Sequence, residues 1–225
     1  ITERVSDNTT YDASLRDYPF AHHEKEVWVR QRLATGHPAY TAKKTIAWAT
    51  HLHPANAEVY AVLPETVRKE EWQTAASLCG GELEGVPYCN DANLGDQWPS
   101  KSAQTSYVFD EYGNATDVLH EFATDLPDEY FVTETDYLND PGLWLIGLPT
   151  EQRRTSAVYG LNWWEPIETI TREAEFEHDL SNGLLKSLTV APGVLNAQLK
   201  TELIRDAHGN VEIERSTPMI GASRQ

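Results

Sequence analysis

Three short stretches of this sequence share one arrangement, and it limits the fold more than any other feature does. They read YVFDEYGNA, FEHDLSNGLL and LIRDAHGNV. In each, a strand-like run ends on Asp, a short spacer follows, and Gly precedes the next run. In the first, Tyr107 and Phe109 fall on one strand face, Asp110 starts a turn, Gly113 and Asn114 tolerate positive φ, and Ala115-Thr116 begins a return strand. The third copy has Leu203, Asp206, Gly209 and Asn210 in these places. The second, with Phe176, Asp179 and Gly183, carries one more residue between Asp and Gly, which suits a longer turn or a bulge. Asp179 and Asp206 are 27 positions apart, room for two strands and two turns, so each unit is about one hairpin. The Asp carboxylate is expected to accept backbone N–H groups of its own turn.

Most of the remaining chain alternates at period 2 with β-branched or aromatic side chains, the signature of strands. In Thr45 to Leu52, Ile46, Trp48, Thr50 and Leu52 share a face; Glu58 to Leu63 alternates similarly, and Pro64 is expected to end that strand. Further strands are expected over Thr105 to Phe109, Glu129 to Tyr137, Thr155 to Trp163, Glu168 to His178, Lys186 to Val190, Lys200 to Arg205 and Asn210 to Arg215. Asn139-Asp140-Pro141-Gly142, Ser181-Asn182-Gly183, Pro192-Gly193 and His208-Gly209-Asn210 punctuate them as turns. Glu65 to Leu78 has the length and several formers of a helix and Asp117 to Ala123 is ambiguous; either reads equally as a strand carrying polar residues. The expected fold is all-β: an extended antiparallel β-sheet of hairpins with at most one or two short helices. Residues 1–105 form a β-rich segment with a Gly/Asn/Pro-rich loop near 83–102, and 106–225 form the repeat sheet.

Composition bounds what such a sheet can meet. The formal net charge of -17 repels phosphate backbones, and the pairs Lys43-Lys44 and Arg153-Arg154 make no basic patch, so no nucleic-acid partner is expected. Gly142 to Pro149 is far shorter than the ~20 apolar residues of a spanning helix. No initiator Met or signal-peptide pattern is present, and the chain reads as an internal segment of something longer. Cys79 and Cys89 bracket a turn-rich stretch, CGGELEGVPYC; a bridge between them, favoured over two free thiols, would stabilise by about 3 kcal/mol and implies an oxidising destination.

At the three Asp copies the sequence resembles the YD-repeat (Rhs) family, whose usual unit is Tyr-x-Tyr-Asp followed by a Gly-Arg or Gly-Asn turn. Residues 131–156, FVTETDYLNDPGLWLIGLPTEQRRTS, also resemble the stretch of Rhs-like and Tc-toxin B/C proteins in which a Trp-Leu-x-Gly-x-Pro-Thr run leads to further repeats; here it is Trp144 to Thr150. Two copies depart from the pattern, with His178 and Arg205 in place of the second Tyr and Leu203 in place of the first. The resemblance implies a secreted or cell-surface hollow shell of β-sheet ribbon that encloses or presents a toxin or other polypeptide. The partners it implies are the rest of the protein's own longer chain and that cargo. This segment would be wall, with no protease or toxin part.

No residue set reads as a catalytic, cofactor or metal site. His51 and His53 share a strand face without a third ligand, and His22-His23 point to opposite faces. Asp125, Asp128, Glu129, Asp136 and Asp140 lack the calcium-loop pattern. A carbohydrate-binding β domain is the alternative, since Trp144, Tyr159, Trp163 and Trp164 could supply an aromatic platform. A carboxylate glycosidase is less favoured, because abundant carboxylates are not a placed pair. Asn8-Thr9-Thr10 and Asn114-Ala115-Thr116 match the glycosylation sequon, though Asn114 already has a turn role.

Overall fold

The computed structural model describes residues 2–6, 19–32, 38–53, 56–71, 81–83, 86–88, 101–123, 129–159, 166–194 and 196–218. The chain is all-β. Its strands are β1 (Thr2–Ser6), β2 (Glu24–Arg32), β3 (Pro38–His53), β4 (Asn56–Glu71), β5 (Gly81–Leu83), β6 (Val86–Tyr88) and β7 (Lys101–Phe109). They continue as β8 (Ala115–Ala123), β9 (Glu129–Asp140), β10 (Leu145–Tyr159), β11 (Pro166–His178), β12 (Leu185–Val190), β13 (Leu199–Arg205) and β14 (Val211–Pro218). Twelve of them form one open antiparallel sheet in chain order, interrupted only where β5 and β6 pair separately between β4 and β7. A meander of this kind needs only hairpin connections, which is what the closely spaced turn signals supply.

Among the described residues there is no helix, so both helix candidates give way. Glu65–Glu71 continues β4, and Asp117–Ala123 lies in β8; Trp72 to Leu78 is outside the described residues. Helix propensity is outweighed at Thr66 and Val67, β-branched residues that pair on one side with Ala47 and Ile46 and on the other with Ser106 and Thr105. Pro64 does not end its strand either. Trp48 faces Pro64 while Ala47 faces Thr66, leaving Glu65 as an extra residue. This bulge is where a residue without an N–H can sit inside a ladder. Within the loop region 83–102, Leu83 closes β5, Val86–Tyr88 is β6 and Lys101 opens β7. Cys79 and Cys89, like Trp163 and Trp164, lie outside the described residues.

The chain forms two compact units. One comprises Ile1–Tyr107, Leu119–Tyr130 and Val158–Ile167. Here Ile46, which is buried, pairs with Val67, and Val67 with Thr105, giving a small apolar centre on one face. The other face is charged: Lys43 Nζ stands 3.3 Å from Glu26 and 4.5 Å over the Trp28 ring, and Arg68 bonds Glu70 at 2.8 Å. The Trp48 indole donates to the Glu24 carbonyl at 2.8 Å, tying β3 to the start of β2.

The second unit comprises Val108–Val118, Phe131–Ala157 and Glu168–Gln225. Register sorts its side chains sharply, because directly paired residues share a face. Ala174 pairs with Val190 and Phe176 with Leu188, and Val190 pairs onward with Leu199, so one face of β11 to β13 is apolar. Glu175 pairs with Thr189 and Glu177 with Ser187, which face Lys200 and Glu202 on β13, so the other face is charged. Lys200 lies 3.8 Å from both Glu177 and Glu202, and Ser187 donates to Glu177 at 3.1 Å. The apolar face is poorly covered: Val190 remains 42% and Leu199 39% exposed. Leu145 and Ala157 are the buried apolar side chains among this unit's described residues.

Candidate functional site

The turns that join β7 to β8, β9 to β10, β11 to β12 and β13 to β14 lie at one end of the meander, because successive odd-to-even hairpins reverse the chain on the same side. Three of them begin at Asp110, Asp179 and Asp206. Tyr107 and Phe109 lie in β7 ahead of the first, Phe176 in β11 ahead of the second and Leu203 in β13 ahead of the third.

The first and third turns match bond for bond. Asp110 N donates to Asn114 O at 2.9 Å and Gly113 N to Asp110 O at 3.1 Å; Asp206, Asn210 and Gly209 repeat this at 2.9 and 3.1 Å. Asp110 Oδ1 accepts the amides of Tyr112 and Asn114, both at 2.9 Å, and Asp206 Oδ1 accepts those of His208 and Asn210 at 2.8 and 2.9 Å. The Asn114 and Asn210 side chains then donate to the second carboxylate oxygens at 2.8 and 3.0 Å. Gly113 and Gly209 hold φ of 86° and 85°, the left-handed conformation that closes a three-residue hairpin loop.

The second turn absorbs its extra residue without losing closure. Asp179 N donates to Leu184 O at 2.8 Å, and Asp179 Oδ1 accepts the Ser181 amide at 2.9 Å and hydroxyl at 2.7 Å. The Leu184 amide lies one residue beyond the carboxylate's usual partner, and Asn182 Oδ1 accepts it at 2.9 Å. Gly183, at φ 74°, packs under Leu145.

The fourth turn has no Asp–x–x–Gly pattern, yet it is joined to the first. Asn139 Nδ2 donates to Asp110 Oδ2 at 2.8 Å, while Asn139 Oδ1 accepts from Asn114 Nδ2 at 3.1 Å and from the Gly147 amide at 2.8 Å. An isolated Gly within the apolar run LIGLP is the sequence signal for such a close approach. Both amide hydrogens of Asn114 are committed here, so attachment of a glycan, which replaces one of them, would break one of the two bonds. Beyond this cluster, Trp144 projects from the turn with 89% of its surface exposed.

Side chains also link neighbouring hairpins. His178 Nε2 bonds the Pro149 carbonyl at 2.8 Å; a carbonyl only accepts, so Nε2 carries the hydrogen. Arg205 donates to the Leu185 carbonyl through Nη2 at 3.1 Å and to Gly209 O through Nη1 at 2.8 Å. The residues that depart from the repeat's second Tyr thus span between hairpins.

Electrostatics follow from these bonds. Burial pushes the Asp110 carboxyl up, but hydrogen bonds from Asn114, Asn139 and Tyr112 outweigh it and hold the group below its ordinary value. Ser181 lowers Asp179 and Asn210 lowers Asp206 in the same way. Each carboxylate is ionised and occupied as an acceptor, so using it as a general base would open its turn. No protein-family profile matches the chain, and no curated protein matches its sequence.

Two outcomes are expected. Gly193→Ala meets nothing within 4 Å at φ +75°, so it should cost only the left-handed backbone penalty, about 1 kcal/mol. Gly147→Ala, at φ +74°, would place Cβ 2.6 Å from Asn114 Oδ1 and should cost at least about 1 kcal/mol more in urea denaturation. Because the native aspartate pKa values are lowered, unfolded carboxylates bind protons first on acidification. The stabilisation is therefore complete above about pH 5 and is lost as pH falls past the ordinary aspartate value and through the lower native ones. Melting temperature followed from pH 7 to pH 2 should fall in that window, and less steeply in Asp110→Asn.

Proposed function

We propose that this chain is a structural segment of a YD-repeat shell, a wall of antiparallel sheet that encloses or presents another polypeptide. The observation that carries this is the bond-for-bond identity of the turns at Asp110 and Asp206, set in a meander of twelve strands. Such turns specify architecture, since the carboxylates of Asp110, Asp179 and Asp206 are engaged in holding the chain. The unburied apolar face of β11 to β13 supports a role that is completed by other polypeptide. Covering the surface that Leu199 and Val190 still expose, 39% and 42%, is worth roughly 1 kcal/mol each.

An exported location accords with a Cys79–Cys89 bridge. The intact chain should be lighter by two hydrogens before reduction than after it; equal masses under oxidising conditions would count against the bridge. The exposed Trp144 favours one second reading, a sugar-binding surface, which saturable quenching of tryptophan fluorescence by a glycan would support.

The structural role is tested by Asp110→Ala. The substitution leaves two backbone and two side-chain donors without their acceptor, and should lower stability by about 1–3 kcal/mol. A variant as stable as the parent by thermal melting would remove the turn from its architectural role.

A further inference from the structure

The positive-φ glycines at the Asp-turn end of the sheet mark a regularity in its bonding. Two residues beyond each of Gly113, Gly147 and Gly183 stands a carbonyl that accepts a side-chain donor from the following hairpin. Ala115 O accepts from the Tyr137 hydroxyl at 3.2 Å, Pro149 O from His178 Nε2 at 2.8 Å, and Leu185 O from Arg205 Nη2 at 3.1 Å. The donors lie in β9, β11 and β13, each the first strand of its hairpin. They are a phenol, an imidazole and a guanidinium, whereas the acceptor position never varies. The backbone conformation at glycine, and not the donor's identity, therefore defines this point.

The fourth glycine, Gly209, has φ 85° and puts the equivalent carbonyl on Val211. The equivalence extends to the ladder. Leu185 and Val211 stand opposite His178 and Arg205, the residues just before the turn aspartates, and a bulged residue follows each, Lys186 and Glu212. Val211 belongs to β14, the last strand in the sheet order, whose residues are all exposed.

We propose that the outer edge of β14 is a docking surface for one further hairpin of the same design. Its first strand pairs antiparallel with Val211–Pro218, and a Tyr, His or Arg ahead of its turn donates to the Val211 carbonyl. The edge supplies backbone bonds to any extended strand, and the side-chain donor fixes the register in which that strand sits. Glu212 and Glu214 on β14 discourage indiscriminate pairing, so the register-setting bond is what selects the partner. The inference rests on the structural reading above and names that segment's neighbour.

The test extends the full chain after Gln225 with a second copy of residues 191–218, joined unlabelled to the 15N-labelled parent so that only the original β14 is observed. A second form differs by Arg205→Ala in the added copy alone, which leaves the parent's own fold untouched. Amide exchange of the original Val211–Thr217 should slow by about tenfold or more in the first form, and most of that gain should vanish in the second. Unchanged exchange at β14 overturns the proposal, and equal slowing in both forms overturns the role of the donor. Slowing in the unextended chain that rises with concentration makes a second copy the occupant and overturns it as well. If Asp110→Ala destabilises the parent while β14 stays unprotected, this inference falls alone and the structural reading stands.

Discussion

A carboxylate that accepts the backbone amides two and four residues ahead of it leaves a hairpin loop almost no freedom. At Asp110 and Asp206 that single contact fixes the loop at three residues, requires a left-handed residue at its end, and sets which residues of the flanking strands face each other. Register then decides everything downstream, because a slip by one residue would carry Phe176 and Leu188 to the charged face and Glu177 to the apolar one. The carboxylates stay ionised because the donors that need them also lower their proton affinity. Turn geometry and charge state are one fact seen twice.

The described residues bury few apolar side chains, so the stability of the sheet is distributed. Cross-strand pairs such as Ile46 with Val67, ion pairs on the charged faces, and side-chain bonds from one hairpin to the next each contribute modestly. In the unit of Asp turns, Leu145 and Ala157 are the buried apolar side chains among the described residues, with Leu145 pressed against Gly183 at the base of a turn. Glycine is needed there twice over, for its φ and for the space its missing Cβ leaves.

What the sequence disclosed and what it hid separate along the range of the forces involved. Asp and Gly at the turns were legible because their partners lie within five residues, and alternation revealed the strands for the same local reason. The segment from Glu65 was ambiguous between helix and strand because several of its residues favour helix in isolation; only the ladders with β3 and β7, partners near and far along the chain, make Glu65–Glu71 strand. Pro64 misled because a bulge depends on the partner strand. Asn139 reaches 29 positions back to Asp110, and His178 as far to Pro149, so neither role had a local signature. His178 and Arg205 each bond a carbonyl of the preceding hairpin, a contact that no local pattern announces.

The longer loop at Asp179 shows that the closing bond can be handed on. When a residue is inserted, Asn182 takes over the amide that the aspartate would have held, and the strands on either side keep their pairing. Hairpin loops at this end can therefore grow without disturbing the sheet, provided that each added residue brings its own acceptor. That makes the row of turns the place where evolution, or an engineer, could graft new surface onto an unchanged wall.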